Sequence, residues 1–65
     1  MNEEKVVSDE PRLLRLLDAF QHLVAARNAL QLAGEPTRAQ IIGGQAKEVR
    51  ALVGMCAGLV AEGQP

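Results

Sequence analysis

The chain has 65 residues, a length at which a single domain is near the lower limit for an unaided hydrophobic core. Seven basic and eight acidic residues are scattered along it, which excludes the strongly basic surface of a protein that binds nucleic acid or an anionic membrane. One Cys excludes an internal disulfide and is compatible with a reducing compartment.

The first predicted element is a helix over residues 9–33, preceded by a charged, flexible arm at residues 1–7. Ser8 or Asp9 can cap its free amide groups, and Pro11 is tolerated in the first helical turn. Spacings of three and four residues place one broad apolar stripe along the helix. The stripe consists of Leu13, Leu16, Leu17, Phe20, Leu23, Val24 and Leu30.

A short break separates this helix from a second one, predicted over residues 37–62. Gly34 suits a left-handed C-cap, and Pro36 cannot continue the hydrogen-bond ladder of the first helix. Thr37, followed three residues later by Gln40, matches a capping box that would start the second helix. Because the break is so short, the two helices should fold back antiparallel on each other.

The second helix carries a narrow seam with a heptad-like repeat, which predicts coiled-coil packing against the first helix. Its residues are Ile42, Ala46, Val49, Val53, Cys56 and Val60, with Leu52 and Leu59 widening one edge. The predicted fold is therefore an all-α, antiparallel two-helix hairpin that forms one domain over residues 1–65. Two helices leave much of their own surface uncovered, so we expect a partner chain, identical or different, to complete the fold.

Residues 51–61 contain no charged side chain, and as a helix they are apolar or small on every side. Opposite the seam, the helical period brings together small residues against which another helix could lie closely. These are Gly44, Ala51, Gly54, Gly58 and Ala61, bordered by Met55 and Leu59. The alternative is that the glycines have no contact role, or that Gly43 and Gly44 kink or break the helix.

Two residues of the first helix join this predicted interface. Leu14 lies off the apolar stripe, and Arg27 interrupts the stripe together with Gln31. Arg27 and Gln31 could contact a partner or set the register across the hairpin, or they could extend from the edge of the stripe into solvent. The complete predicted partner-binding set is Ala51, Gly54, Met55, Gly58, Leu59, Leu14 and Arg27.

The sequence favours no enzymatic activity. Asp18 and His22 are one turn apart and could share a hydrogen bond, but no nucleophile is near them: Ser8 belongs to the cap and Cys56 to the seam. One His and one Cys cannot form a metal-ligand cluster, and no cofactor motif is present. The apolar run is far shorter than the ~20 residues that span a bilayer. We therefore expect a cytoplasmic protein without cofactor, metal, nucleic acid or membrane partner.

The turn and the second helix resemble the small YscE/PscE-type co-chaperones of bacterial type III secretion needle subunits. The similarity lies in Pro36, Gln40, Ile41, Ile42, Gln45, Ala46, Lys47, Val49, Val53 and Gly54. In the first helix it extends to Phe20, Gln21, Ala29 and Leu30, and in all it covers about residues 13–61. The chain departs from the family at Gly43 and Gly44, where the family has polar, Gln-rich residues, and in its longer turn.

This resemblance implies a bacterial cytoplasmic hairpin that pairs with a larger TPR-like chaperone. Together the two proteins would keep a needle subunit monomeric and soluble before export. Two other hypotheses agree with the same sequence features. One is a homo-oligomeric helical adaptor or regulator, and the other is a small inhibitor, encoded by a phage or mobile element, that binds a host factor.

Overall fold

The structure, a computed structural model, describes residues 9–62, which form two α-helices. Helix α1 comprises Asp9–Leu32 and helix α2 comprises Pro36–Glu62. The two pack against each other along their length as an antiparallel hairpin, with no strand in the described residues. This confirms the predicted fold class and places each predicted helix end within one residue. The predicted arm and the predicted cap at Ser8 lie outside the described residues.

The turn between the helices is built on Gly34, the residue predicted to cap α1. Gly34 has a φ of +79°, a left-handed conformation that glycine adopts without steric cost. Its N–H donates to the Gln31 carbonyl at 3.1 Å, and the Glu35 N–H donates to the Leu30 carbonyl at 2.9 Å. This pair of bonds is a Schellman motif, which satisfies carbonyls that the helix end would otherwise leave free.

Helix α2 begins one residue before the predicted start at about Thr37. Helix α2 begins at Pro36, and the Ala39 N–H donates to the Glu35 carbonyl at 2.9 Å. Glu35 is therefore the residue that flanks the helix, and Thr37 already lies inside it. Proline is favoured at the first helical position because its fixed φ suits the helix and no amide partner is needed there. The capping box predicted for Thr37 and Gln40 consequently does not start this helix.

Both helices contribute a seven-residue repeat to the seam between them. In α1 the less exposed positions include Leu13, Leu16, Phe20, Leu23, Arg27 and Leu30, at alternating spacings of three and four, with Val24 beside them. All six predicted seam residues of α2 are buried or half-buried, and Ala39 extends their repeat toward the turn. The fully buried side chains are Ala39, Ala46 and Cys56. Because these side chains are small, the two backbones approach closely along the seam.

The paired glycines of α2 lie within a continuous helix, which answers the question that the sequence left open. A Cβ added at Gly43 would lie 3.3 Å from Cδ of Arg27, whereas one added at Gly44 would meet no atom within 4 Å. Gly43 therefore faces the seam and Gly44 faces outward. Within residues 9–62, neither helix combines the length and the apolar character that crossing a membrane requires.

Candidate interaction surfaces

The first candidate surface is an exposed flank of α2 that begins at one edge of the seam. We define the outer face of α2 as Ala51, Leu52, Met55, Gly58 and Leu59. Leu52 is 41% exposed, Met55 69% and Leu59 46%, and the two small residues are also exposed. The five residues recur at helical spacing over two turns without a charged side chain among them. A cluster of this kind is typical of a helix-docking surface, whereas single exposed apolar residues are ordinary.

The second candidate surface is a side groove that runs along the hairpin between the two helices. Its α1 wall includes Glu10, Leu17, Val24 and Gln31, which are seven residues apart and so lie on one side of the seam. Its part near the turn is an open depression with a volume of about 740 Å³. Phe20 and Arg50 border both this part and the next depression along the hairpin. The last depression, at the open end, is lined by Glu10, Pro11, Leu13, Leu14 and Val60.

Three glycines of α2 belong to the groove lining, namely Gly43, Gly44 and Gly54. At Gly44 and Gly54 an added Cβ would meet no atom within 4 Å, so unfilled space lies beside the helix at both positions. Phe20 and Val24, both half-buried, form part of the apolar wall opposite. The groove thus has apolar side chains on part of its α1 wall, and its α2 wall lacks a side chain at three positions.

Three cations line the groove, in its central part and the half nearer the turn. They are Arg27, Lys47 and Arg50. Within the described residues the carboxylates that lie within 4.0 Å of a basic side chain are Asp18, beside His22, and Glu35, beside Arg38. The three groove cations therefore have no carboxylate partner among residues 9–62.

Arg27 reaches the groove from an unusual position. It occupies a seam position of the α1 repeat rather than its edge, and its aliphatic stem lies against Gly43. The absence of a side chain at Gly43 gives that stem its space. Its Nε and Nη2 atoms donate to Asn28 Oδ1 at 3.3 and 3.1 Å. The apolar stem of Arg27 therefore lies in the seam while its charged guanidinium group lies at the groove, as is common for long side chains with a polar end.

The structure divides the seven predicted partner-binding residues between the two surfaces. Ala51, Met55, Gly58 and Leu59 belong to the outer face of α2, which is built from neighbouring positions of one helix. Leu14, Gly54 and Arg27 line the side groove. Sequence reasoning missed Lys47 and Arg50. Each directly follows a seam residue, Ala46 or Val49, and a full heptad assignment would have placed both beside the seam.

The pair Asp18 and His22 forms no compact site. His22 Nδ1 is 3.8 Å from Asp18 Oδ1, beyond hydrogen-bond distance, and the side chains are 77% and 64% exposed. Cys56 lies elsewhere, fully buried in the seam, with its Sγ 3.3 Å from the Asp9 carbonyl oxygen. Cys56 is thus a small core residue, as predicted. Residues 9–62 contain no group of three His, Cys, Asp or Glu side chains arranged to hold a metal ion.

Comparison with known proteins yields no match to a protein-family model, to a curated protein or to a solved structure.

Proposed function

We propose that this chain is a non-enzymatic interaction protein whose hairpin is completed by a partner protein. In its specific form, the proposal is a bacterial cytoplasmic co-chaperone that pairs with a larger chaperone to keep a secretion needle subunit soluble. The resemblance of the turn and of α2 to YscE/PscE-type co-chaperones supports the specific form. The physical features of the hairpin support the general form independently of that resemblance.

The observation that carries the proposal is the distribution of burial. Among the described residues the fully buried side chains are three small ones, whereas Leu52, Met55 and Leu59 remain 41%, 69% and 46% exposed. A buried core of small residues releases little free energy, because hydrophobic stabilisation scales with the apolar area removed from water. Covering the large side chains of the outer face would add that area. A partner protein is the means of covering them.

The outer face of α2 has the relief that a partner helix requires. Ala51 and Gly58 are small and exposed, so a partner backbone can approach closely between the larger side chains of Leu52, Met55 and Leu59. Those side chains would then pack on either side of the partner helix. This is the helix-docking mode of recognition, in which apolar residues at three- and four-residue spacing provide the anchors.

The test uses the full chain and two matched substitutions. The partner is first identified by co-purification from the native source and mass spectrometry, and the complex is then rebuilt from the purified proteins. Met55→Glu should weaken that complex at least tenfold, because it places a charge in the centre of the apolar face. Leu32→Glu is the control, since Leu32 is 91% exposed at the far end of α1 and lies outside both surfaces.

Light scattering of the rebuilt complex decides between the alternatives. A larger chaperone and a needle subunit in complex with the chain support the co-chaperone. A stable homodimer that binds neither protein would overturn it in favour of a homo-oligomeric adaptor. Equal binding by the Met55→Glu and Leu32→Glu variants would remove the outer face of α2 as the contact surface.

A further inference from the structure

We infer that the side groove is a second binding surface, which binds one amphipathic helix of another protein. That helix carries acidic residues along the part that faces the groove cations. The inference rests on the proposed function only in that the ligand is a protein. The surface is different, and so are the residues that form it.

The shape of the groove fits a single helix. On α1 its lining residues extend from Glu10 to Gln31, about 30 Å along a helix axis. The space left beside Gly44 and Gly54 can receive apolar side chains from a third helix. Near the open end the exposed side chains of Leu14 and Leu17, 65% and 37% exposed, would contact the same helix. A helix of about 20 residues would occupy the full groove.

The charges of the groove define the chemistry of that helix. Arg27, Lys47 and Arg50 line its central part and its turn half without a carboxylate within 4.0 Å among residues 9–62. Bringing an uncharged or basic helix over them would remove their hydration without compensation. Glu or Asp side chains beside the apolar stripe of the ligand would pair with them. The ligand is therefore acidic over this part and apolar over the part that contacts Leu14 and Leu17.

A second copy of this chain does not fit the groove. Arg50 is one residue from the middle of α2, which comprises Pro36–Glu62. If two copies packed groove to groove with full overlap in antiparallel orientation, Arg50 would therefore lie opposite Arg50 of the other copy, and in parallel orientation the two Arg50 side chains would enter the interface at the same level. The one carboxylate among the residues that line the groove is Glu10, at the open end. Like charges at the centre of such an interface oppose association.

The experiment measures the binding of designed helical peptides to the full chain by fluorescence anisotropy. Three peptides of about 20 residues share one Leu and Ala stripe. The first carries Glu beside the stripe in its N-terminal half, and the second carries Glu there in its C-terminal half. The third carries Lys at all the positions that are Glu in either of the other two. We expect one of the Glu peptides to bind at least tenfold more tightly than the Lys peptide. The affinity should fall as salt is raised, because the charge pairs are partly exposed.

Substitutions in the chain then locate the binding site. Arg50→Glu and Lys47→Glu should each weaken binding of the preferred Glu peptide about tenfold, since each reverses a charge in the groove. The control is Arg15→Glu, which makes the same change in net charge at an exposed residue outside the groove. Gly54→Leu should also weaken binding by filling the groove, whereas Gly58→Leu on the outer face of α2 should not. Circular dichroism checks that each variant remains helical.

Several results would overturn the inference. Equal affinity for the Glu and Lys peptides would refute the charge assignment. If Arg15→Glu and Arg50→Glu weakened peptide binding equally, the binding would be a general attraction between charges and not recognition by the groove. If single-stranded DNA bound more tightly than either Glu peptide, the ligand would be a nucleic acid and not a protein. These results leave the outer face untouched, because Met55→Glu tests that face separately. A homodimer lost in Arg50→Glu but retained in Arg15→Glu would show that a second copy occupies the groove.

Discussion

The contact between Arg27 and Gly43 predicts that two adjacent glycines respond differently to the same substitution. Gly44→Ala should stabilise the hairpin by about 0.5–1 kcal/mol, the usual gain from replacing glycine inside a helix. No atom lies within 4 Å of the added Cβ at this position, so nothing opposes the gain. For a domain of this size the midpoint of thermal unfolding should rise by roughly 2–8 °C.

Gly43→Ala should bring the same gain in helix propensity, offset by a steric cost. The added Cβ would lie 3.3 Å from Arg27 Cδ, closer than the ~3.5–4.0 Å of favourable carbon–carbon contact. The Arg27 stem must therefore shift by a few tenths of an ångström. Leaving its preferred rotamer costs on the order of 0.5–1.5 kcal/mol. The net change should be close to zero, and clearly smaller than that of Gly44→Ala.

Urea unfolding of the full chain, followed by far-UV circular dichroism at one chain concentration, measures both changes. Repeating it with Arg27→Ala removes the stem and tests the cause. In that background Gly43→Ala should stabilise the chain as much as Gly44→Ala does, so the double-mutant cycle should show a coupling between positions 27 and 43. Equal gains at the two glycines with Arg27 present would refute the argument, and with it the position of Arg27 on the seam.

Three further predictions concern the turn, the seam and the surface. Gly34→Ala should destabilise the chain by about 1–2 kcal/mol because φ there is +79°, and Gly34→Asn should destabilise it less. Unchanged thermal unfolding in both variants would contradict the Schellman turn. The buried thiol of Cys56 should react with a thiol reagent only as urea unfolds the chain, and rapid labelling without urea would contradict its place in the seam. His22→Ala should change the free energy of unfolding by less than about 0.5 kcal/mol, because its contact with Asp18 is long and exposed; a larger loss in a urea titration would show that the pair has a structural role.

The sequence predicted the fold well because its decisive signals are local. Gly34 is recognisable as a helix end because a glycine after a long helical pattern can adopt the left-handed conformation. At the start of α2 two signals compete, because both Thr37 and Pro36 are favoured near a helix start. A capping box requires a non-helical backbone at Thr37, and the sequence does not fix that conformation. The preference of Pro36 for the first helical position prevails in the structure.

The two candidate surfaces were predictable to different degrees, because one depends on local sequence and the other on how the helices pack. The outer face of α2 follows from the period of one helix, so Met55 and Leu59 could be selected from the sequence. The side groove depends on how two helices are aligned across the seam. Arg27 and Gly43 are distant in sequence, and the period of each helix alone does not show that they meet. The contribution of Arg27, Lys47 and Arg50 to one groove therefore became visible in the structure.

The narrow seam and the open surfaces have a common physical cause. Small residues at Ala39, Ala46 and Cys56 let the helices approach closely, and close helices leave little room between them for large side chains. Leu52 and Leu59, which the sequence pattern places at the edge of the seam, are therefore about half exposed. On the opposite side the same close approach leaves Leu17 at the rim of the groove. A hairpin with this seam thus shows apolar surface on both sides, and the two proposed binding surfaces rest on that surface.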